Sequence, residues 1–396
     1  MTGTTACNYF NANVCRSCSW IANPYSDQIL AKEDLVRATF PGIQLLPTVI
    51  GRTLGFRNKA KMAVTGTMAD PKIGIFGKSD SLDDGHALLD CPVHHEKLNK
   101  VFQAMPDFIR EHRIEPYRIR EKKGELKGLI AFYSPGTDQM LLRFVLRSRE
   151  SIERLTRGIP ALQTRFPSLV SVTANLQPVP HAILEGDEEI LLGGRFSMDH
   201  LLEGHSQKLK VELYPNAFVQ TNAEIAGRLY ETAAEWISEI SSLKSQFKSQ
   251  FKIVELYAGQ GAFSFFAGLT SRETDRTIVG MEINAAAVDS ANKNAERLNL
   301  PGVHFRCDDA EHVLNQVKKE APDLILVNPP RRGLGSGVQI LTTVIPSHLI
   351  YSSCSLDSLK SDLSKLEAHF KIQKLQIFDM FPHTEHFEVL AQLERR

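Results

Sequence analysis

The spacing of apolar positions changes near residue 252. Before it, between residues 25 and 200, short runs alternate apolar with polar side chains: KMAVTGTM (61–68), PKIGIFG (71–77), KGLIAFYS (127–134), QMLLRFVLRS (139–148), LVSVTANLQP (169–178) and EEILLGG (188–194). Gly, Pro and Asp separate them. This pattern predicts an antiparallel, β-rich domain. One helix is predicted to interrupt it near 95–112, where Leu98, Val101, Phe102 and Met105 recur at helical spacing. AEIAGRLYETAAEWISEISSL (223–243) predicts an amphipathic helix, and the tandem KSQFKSQFK (244–252) a surface connector.

Beyond 252, strand-like and helix-like runs alternate. KIVELYAG, RTIVGMEIN, VHFRCDD, DLILVNPP and HLIYSSCS are apolar and β-branched, with helical stretches such as AAAVDSANKNAERLNL and AEHVLNQVKKE between them. A last pair, KIQKLQIFDMF and HFEVLAQLER, closes the chain. The alternation predicts a doubly wound α/β sheet of the Rossmann-like kind. Such sheets bind ligands at the carboxyl ends of their strands.

Composition narrows the setting. Of 396 residues, 42% are hydrophobic and 23% charged, as in an ordinary soluble protein of two or three domains. No apolar run reaches the length of a membrane span, and no secretory leader is evident, which predicts a cytoplasmic protein. The net charge is zero but uneven. Residues 51–78 hold six Lys/Arg against one acid, and residues 101–165 hold 13 against eight. This asymmetry suggests a polyanion on the N-terminal half, although solvated surface charge gives the same pattern. Three of six cysteines fall within residues 7–18. In a reducing compartment, clustered cysteines more often bind metal or catalyse than form disulfides.

The strand ends carry the chemistry. ELYAGQGAFS supplies Gly259 and Gly261, which allow a sharp turn and close approach of a ligand. GMEIN places Glu282 where an acid can accept both ribose hydroxyls. The full dinucleotide fingerprint is absent, because Ser264 stands where its third glycine would fall. CDDAE offers Asp309 for an adenine amino group, and NPPRRG follows the fourth strand with Asn328. SSCS places Cys354, and HFE places Glu388, at the same edge. A thiolate adding to C6 of uracil generates an enolate whose C5 can attack a methyl group. A base must then take the C5 proton so that the thiolate can leave. Arg331 and Arg332 are positioned to favour the thiolate.

Together these strand ends resemble S-adenosylmethionine-dependent methyltransferases, and YSSCSLDSLKSDL with HFEVLAQLER resembles the RNA uracil-C5 methyltransferase family. The resemblance implies Cys354 as nucleophile and Glu388 as base. In NAFVQTNAE (216–224) it implies cofactor contact by Gln220 and a place beside the target base for Phe218. It implies that Tyr257, Gly259, Gly261, Glu282, Asp309 and Asn328 bind S-adenosylmethionine, with Asn328 standing where many members have Asp. Some members hold a [4Fe–4S] cluster on four cysteines, which implies that role for Cys7, Cys15, Cys18 and Cys91. Spacing alone leaves zinc open, since four thiolates suit it equally. Cys307 is left to strand packing, and His94 and His95 to a solvated loop.

LGFRNKAKMAV (54–64) also resembles a family segment, in which Arg57, Lys59 and Lys61 are expected to touch RNA phosphates. The arrangement is most similar to members acting on 23S ribosomal RNA. It leaves no room before residue 7 for the small β-barrel that some relatives carry, and implies neither a membrane nor an obligate protein partner. A different uridine in ribosomal or transfer RNA, an amine-directed methyltransferase, and a non-catalytic iron–sulfur RNA-binding module remain the alternatives. The expected organisation is an iron–sulfur segment (1–20 with 86–98), a central RNA-binding antiparallel β domain (21–205) and a catalytic domain (206–396).

Overall fold

The chain opens with a single helical turn, α1 (Asn8–Asn11), then α2 (Tyr25–Thr39) and strand β1 (Gln44–Val49). The computed structural model describes residues 5–77, 83–179, 185–244, 250–270, 276–307 and 310–396. Most of the KSQFKSQFK connector, and Asp309, lie outside them. A seven-stranded sheet follows, built from β2 (Lys59–Gly66), β3 (Pro71–Ile75), β4 (His86–Ala87), β5 (Leu126–Ser134), β6 (Gln139–Leu146), β7 (Leu169–Leu176) and β8 (Glu188–Gly194) in the order β4-β3-β2-β5-β6-β7-β8. Helices α3 (Glu96–Glu111) and α4 (Ile152–Arg165) cover one face.

Period-2 patterning explains the packing. Leu129, Ala131 and Tyr133 of β5 enter the core beneath α3, with Leu98, Phe102 and Met105. Phe132, between them, points to the other core with Met198 and Leu202. Both faces are buried, so β5 and β6 read as nearly continuous apolar runs.

The sheet is mixed rather than antiparallel, because β6 and β7 pair in parallel. Parallel neighbours require a crossover, and α4 supplies it. Its Leu155, Ile159 and Leu162 have the helical spacing that the strand-rich reading of this region passed over.

A hairpin, β9 (Met198–Glu203) and β10 (Lys208–Leu213), leads to α5 (Ala223–Lys244). The expected boundary at 205/206 therefore cuts a hairpin turn. That turn is tied to α5, since Glu231 accepts from the backbone N–H groups of Ser206 and Gln207 at 2.8 and 3.0 Å.

The second sheet contains β11 (Phe251–Leu256), β12 (Arg276–Glu282), β13 (Val303–Cys307), β14 (Leu324–Val327), β15 (His348–Ser353), β16 (Phe370–Phe378) and β17 (Glu388–Arg395). Helices α6 (Ala262–Leu269), α7 (Ala285–Arg297), α8 (Ala310–Glu320), α9 (Gly337–Val344) and α10 (Leu356–Leu366) connect its parallel strands. The order is β1-β16-β17-β15-β14-β11-β12-β13, with β17 antiparallel to both neighbours. Strand order reverses at β11 and β14, which opens a crevice at their carboxyl ends.

Strand β1 pairs in parallel with β16, so residues 25–49 extend the C-terminal sheet and not the central domain. Val36 and Phe40 share a core with Leu375 and Ile377. The pairing joins residues more than 300 positions apart, beyond the reach of local pattern. Lys32 seals it. Fully buried, it reaches Asp379 Oδ1 at 2.6 Å and the carbonyls of Phe381 and His386 at 3.4 and 3.2 Å. Tyr25 donates to the other Asp379 oxygen at 2.5 Å. Lys32→Ala strands a buried carboxylate and is expected to lower unfolding free energy by about 3–5 kcal/mol in chemical denaturation. A loss below about 1 kcal/mol would show that Asp379 finds another partner. No described helix is long and apolar enough to cross a membrane.

Candidate active site

β11 ends at Leu256 and turns into α6 through three left-handed residues, Tyr257 (φ +60°), Gly259 (φ +54°) and Gly261 (φ +84°). Gly261 is confined by packing, since a Cβ there would lie 2.3 Å from the Phe305 ring. A Cβ on Gly259 would meet nothing within 4 Å, so the backbone there borders open space. Tyr257 adopts a conformation that costs a non-glycine residue about 1 kcal/mol or more. Its hydroxyl is held by the Leu334 carbonyl.

Glu282, at the end of β12, accepts from Gly259 N–H at 2.9 Å and from Asn284 N–H at 3.0 Å. One carboxylate thus fixes two loops and keeps lone pairs for a diol. Asn328 follows β14, its N–H 3.5 Å from the Leu256 carbonyl. The proline loop beyond it is anchored by buried Asp362, which accepts from Leu334 N–H and the Tyr351 hydroxyl, both at 2.8 Å.

Cys354 follows β15, and Glu388 begins β17. Ser353 pairs with Val389 in the antiparallel ladder, which brings the next residue of each chain, Cys354 and Glu388, to the same end of it. Because β17 runs against the parallel strands, its amino end lies at their carboxyl ends. Glu388 is 2% exposed, and its Oε2 has no hydrogen-bond partner. Burial pushes its carboxyl up to about 8, while the Gln220 amide favours the ionised form. Burial and the Glu388 charge push the Cys354 thiol up, and Arg331 draws it back. Arg331 thus acts on the thiol as expected, whereas Arg332 acts on Tyr257.

Gln220 and Phe218 arrive on the segment after β10, with Phe218 69% exposed. Lys59 donates to the Ala217 carbonyl at 3.1 Å. This corrects its role as a phosphate ligand: burial and neighbouring Lys61 push its ammonium down to about 8, and it props the Phe218 segment. Lys61 is exposed but ion-paired with Glu185. Part of the basic surplus is similarly matched by acids outside the counted stretches, as in Arg143–Glu189 and Arg149–Glu188.

Sequence reading missed Glu255. This buried acid of β11 takes the Ser264 N–H at 3.2 Å and the Ser264 hydroxyl, pinning the first turn of α6. Burial pushes it up to about 8. An acid inside an apolar strand was the available signal. Cys307 proves exposed, its thiol 3.3 Å from the Ile283 carbonyl, rather than packed.

The four N-terminal-side cysteines are all free thiols, each partly buried. Burial pushes Cys18 up to about 12, and the Cys91, Cys15 and Cys7 charges add to this. Burial pushes the Cys91 thiol up as well, although the Val93 and His94 N–H groups favour its thiolate. Among the described residues no three His, Cys, Asp or Glu side chains stand in a metal-holding arrangement. The four thiols therefore do not, as they stand, form a site that fits the expected cluster. His94 is buried, and His95 caps α3 by accepting from Lys97 N–H at 3.2 Å, so the pair is not a solvated loop.

The comparisons agree with this geometry. A family model described as tRNA (Uracil-5-)-methyltransferase matches residues 187–396. A protein of Xenorhabdus nematophila named 23S rRNA (uracil(747)-C(5))-methyltransferase is 36% identical over 391 residues, covering 98% of this chain and 99% of its own. One of the same name from Shewanella amazonensis is 37% identical, covering 98% and 97%. The crystal structure of Pyrococcus abyssi tRNA (uracil-54, C5)-methyltransferase with S-adenosyl-L-homocysteine superposes with a TM-score of 0.74 at 22% identity, over 96% of this chain and 86% of that one. Chain-long identity, the catalytic-domain match and the shared fold converge on one conclusion: this protein belongs to the RNA uracil-C5 methyltransferase family.

Proposed function

We propose that this enzyme methylates C5 of a uridine in 23S ribosomal RNA, with Cys354 as nucleophile and Glu388 as base. The observation that carries the residue assignment is that Cys354 and buried Glu388 lie at the same end of the β15–β17 ladder, with the Gln220 amide on Glu388. Full-length identity to proteins named for 23S ribosomal RNA supports the substrate.

S-adenosylmethionine supplies an electrophilic methyl group; Glu282, Gly259, Tyr257, Gln220 and Asn328 are suited to bind it. The uridine must leave its stack to reach the crevice, and exposed Phe218 offers a ring to receive it. Cys354 loses its proton and adds through sulfur to C6, placing the electron pair on the O4–C4–C5 system. C5 takes the methyl group. Glu388 then removes the C5 hydrogen as a proton, the C5–C6 double bond re-forms, and the C6–S bond breaks to return the thiolate. Arg331 steadies that thiolate at both ends of the cycle.

The test is a trap. In ribosomal RNA carrying 5-fluorouridine, C5 has no proton to give, so methyl transfer leaves the enzyme bonded to C6. A denaturation-resistant complex that requires S-adenosylmethionine is expected, with one linked nucleotide mapped in 23S RNA. Linkage to transfer RNA alone would change the substrate and keep the chemistry. No linkage despite methyl transfer to RNA would indicate an amine target.

A further inference from the structure

Pro329 and Pro330 follow Asn328, and the chain then reverses in a tight turn. Gly333 N–H donates to the Pro330 carbonyl at 2.8 Å, which puts Arg331 and Arg332 at the two central positions. The turn is held from both sides of the crevice. On the side of β15 and α10, Asp362 accepts from Leu334 N–H at 2.8 Å, and a Cβ on Gly333 would lie 2.5 Å from the same carboxylate. On the side of β11, the Tyr257 hydroxyl donates to the Leu334 carbonyl. In the sheet β14 lies between β15 and β11, so the tip carrying both arginines stands at the lip of the crevice, between the strand end of Cys354 and the glycine turn.

Both arginines are exposed. Among the described residues, neither makes an ion pair or a side-chain hydrogen bond. That sets them apart from Arg143, Arg149 and Arg297, each of which faces a carboxylate. Unmatched guanidinium groups on a fixed turn at the mouth of a crevice suit an anion that arrives from solution. Arg331 serves the Cys354 thiolate, whereas no step of the reaction uses Arg332.

The reacting nucleotide brings such an anion. In an anti pyrimidine nucleotide, C6 lies on the side of its own 5′-phosphate, so a thiolate that reaches C6 has that phosphate close by. We propose that Arg332 binds the 5′-phosphate of the uridine that enters the crevice and so holds C6 against Cys354. This assignment rests on the uridine-C5 reading above. The guanidinium fork matches two phosphate oxygens, and binding there breaks no existing ion pair. The methionine carboxylate of the cofactor is the other anion brought to this crevice, and the two sources are separable.

The experiment uses the full chain as wild type, Arg332→Gln and Arg332→Lys, with a synthetic RNA stem-loop containing the uridine that 5-fluorouridine trapping identifies. The stem-loop carries either its natural backbone or one neutral methylphosphonate on the 5′ side of that uridine. Arg332→Gln is expected to bind natural RNA about 10-fold more weakly, with a salt slope lower by about one. Arg332→Lys, which keeps the charge, should recover most of both. The neutral linkage should cost wild type about 10-fold and Arg332→Gln less than about twofold, because the two changes remove one interaction. S-adenosylhomocysteine affinity should stay within about twofold of wild type in both variants. Equal losses from the neutral linkage in wild type and Arg332→Gln would overturn the proposal, as would wild-type RNA affinity in Arg332→Gln. Loss of S-adenosylhomocysteine affinity with RNA binding intact would overturn it too, and give Arg332 to the cofactor carboxylate. A wild-type chain that forms no covalent complex with 5-fluorouridine RNA would instead remove the uridine-C5 reading, and this assignment with it. Thermal melting of each variant separates loss of fold from loss of contact.

Discussion

Cys354→Ala is expected to abolish methylation, lowering turnover by a factor of about 10⁴ or more, while leaving S-adenosylhomocysteine affinity within about twofold. A 10⁴-fold loss corresponds to about 5 kcal/mol of barrier. The effect is large because no other group can do the work. C5 of uracil becomes nucleophilic only when something adds at C6, and the adding group must also leave. Cys307, the other cysteine outside the N-terminal set, sits at the end of β13, across β12, β11 and β14 from the nucleophile. Affinity for the cofactor product should survive because Glu282 ends β12, Tyr257 and Gly259 lie in the turn after β11, and all three are fixed by their own hydrogen bonds. Cys354→Ala should also give no covalent complex with 5-fluorouridine RNA. The measurement is methyl incorporation into RNA beside calorimetric titration of S-adenosylhomocysteine. Retention of a tenth of wild-type turnover would exclude Cys354 as nucleophile.

What the sequence revealed follows distance along the chain. The strand–helix alternation after residue 252 was legible because each unit pairs with a near neighbour and buries a local apolar face. The strand-end residues were legible for the same reason: Gly259, Glu282, Asn328 and Cys354 each follow an apolar run directly. Glu388 was legible only through the motif around it, since its burial depends on a strand that returns antiparallel.

Three contacts escaped because their partners are far away. Lys32 looks like an ordinary helical surface lysine until Asp379 is placed against it. Lys59 reads as one cation of a basic stretch, yet the Ala217 carbonyl takes its ammonium. Strand β1 belongs to the catalytic sheet only because β16 accepts it, which also explains why the expected division at residue 21 failed. Charge counting was misled in the same way, because Glu185 and Glu189, outside the counted stretches, neutralise bases that the tally left free.

Glu388→Gln should stall the enzyme after methyl transfer and, at the same time, make it more stable. The amide matches the carboxyl in shape but cannot accept a proton at pH 7. Addition of Cys354 and methyl transfer need no base at C5 and should proceed. Elimination does need one, so release should fall by about 10²–10⁴-fold, and a covalent complex should build up on unmodified RNA.

The stability change has a defined sign. The folded protein holds the Glu388 proton up to about pH 8, whereas the unfolded chain gives it up near the ordinary value of 4.5. Between these limits the unfolded state binds fewer protons, so wild-type stability falls as pH rises through the window. Glutamine escapes that cost. Glu388→Gln should therefore melt with wild type near pH 4, pull ahead through the window, and by pH 7 gain on the order of 3 kcal/mol from this group. The cost is tolerated because the burial that raises it also tunes the base: with its proton affinity near neutral pH, Glu388 can take a proton from carbon and return it to solvent within one turnover. Denaturant melts at pH 4, 6 and 8, run beside a gel assay for the covalent complex, test both halves. A variant that releases methylated RNA at the wild-type rate, or whose stability gain is the same at every pH, would take Glu388 out of the base role.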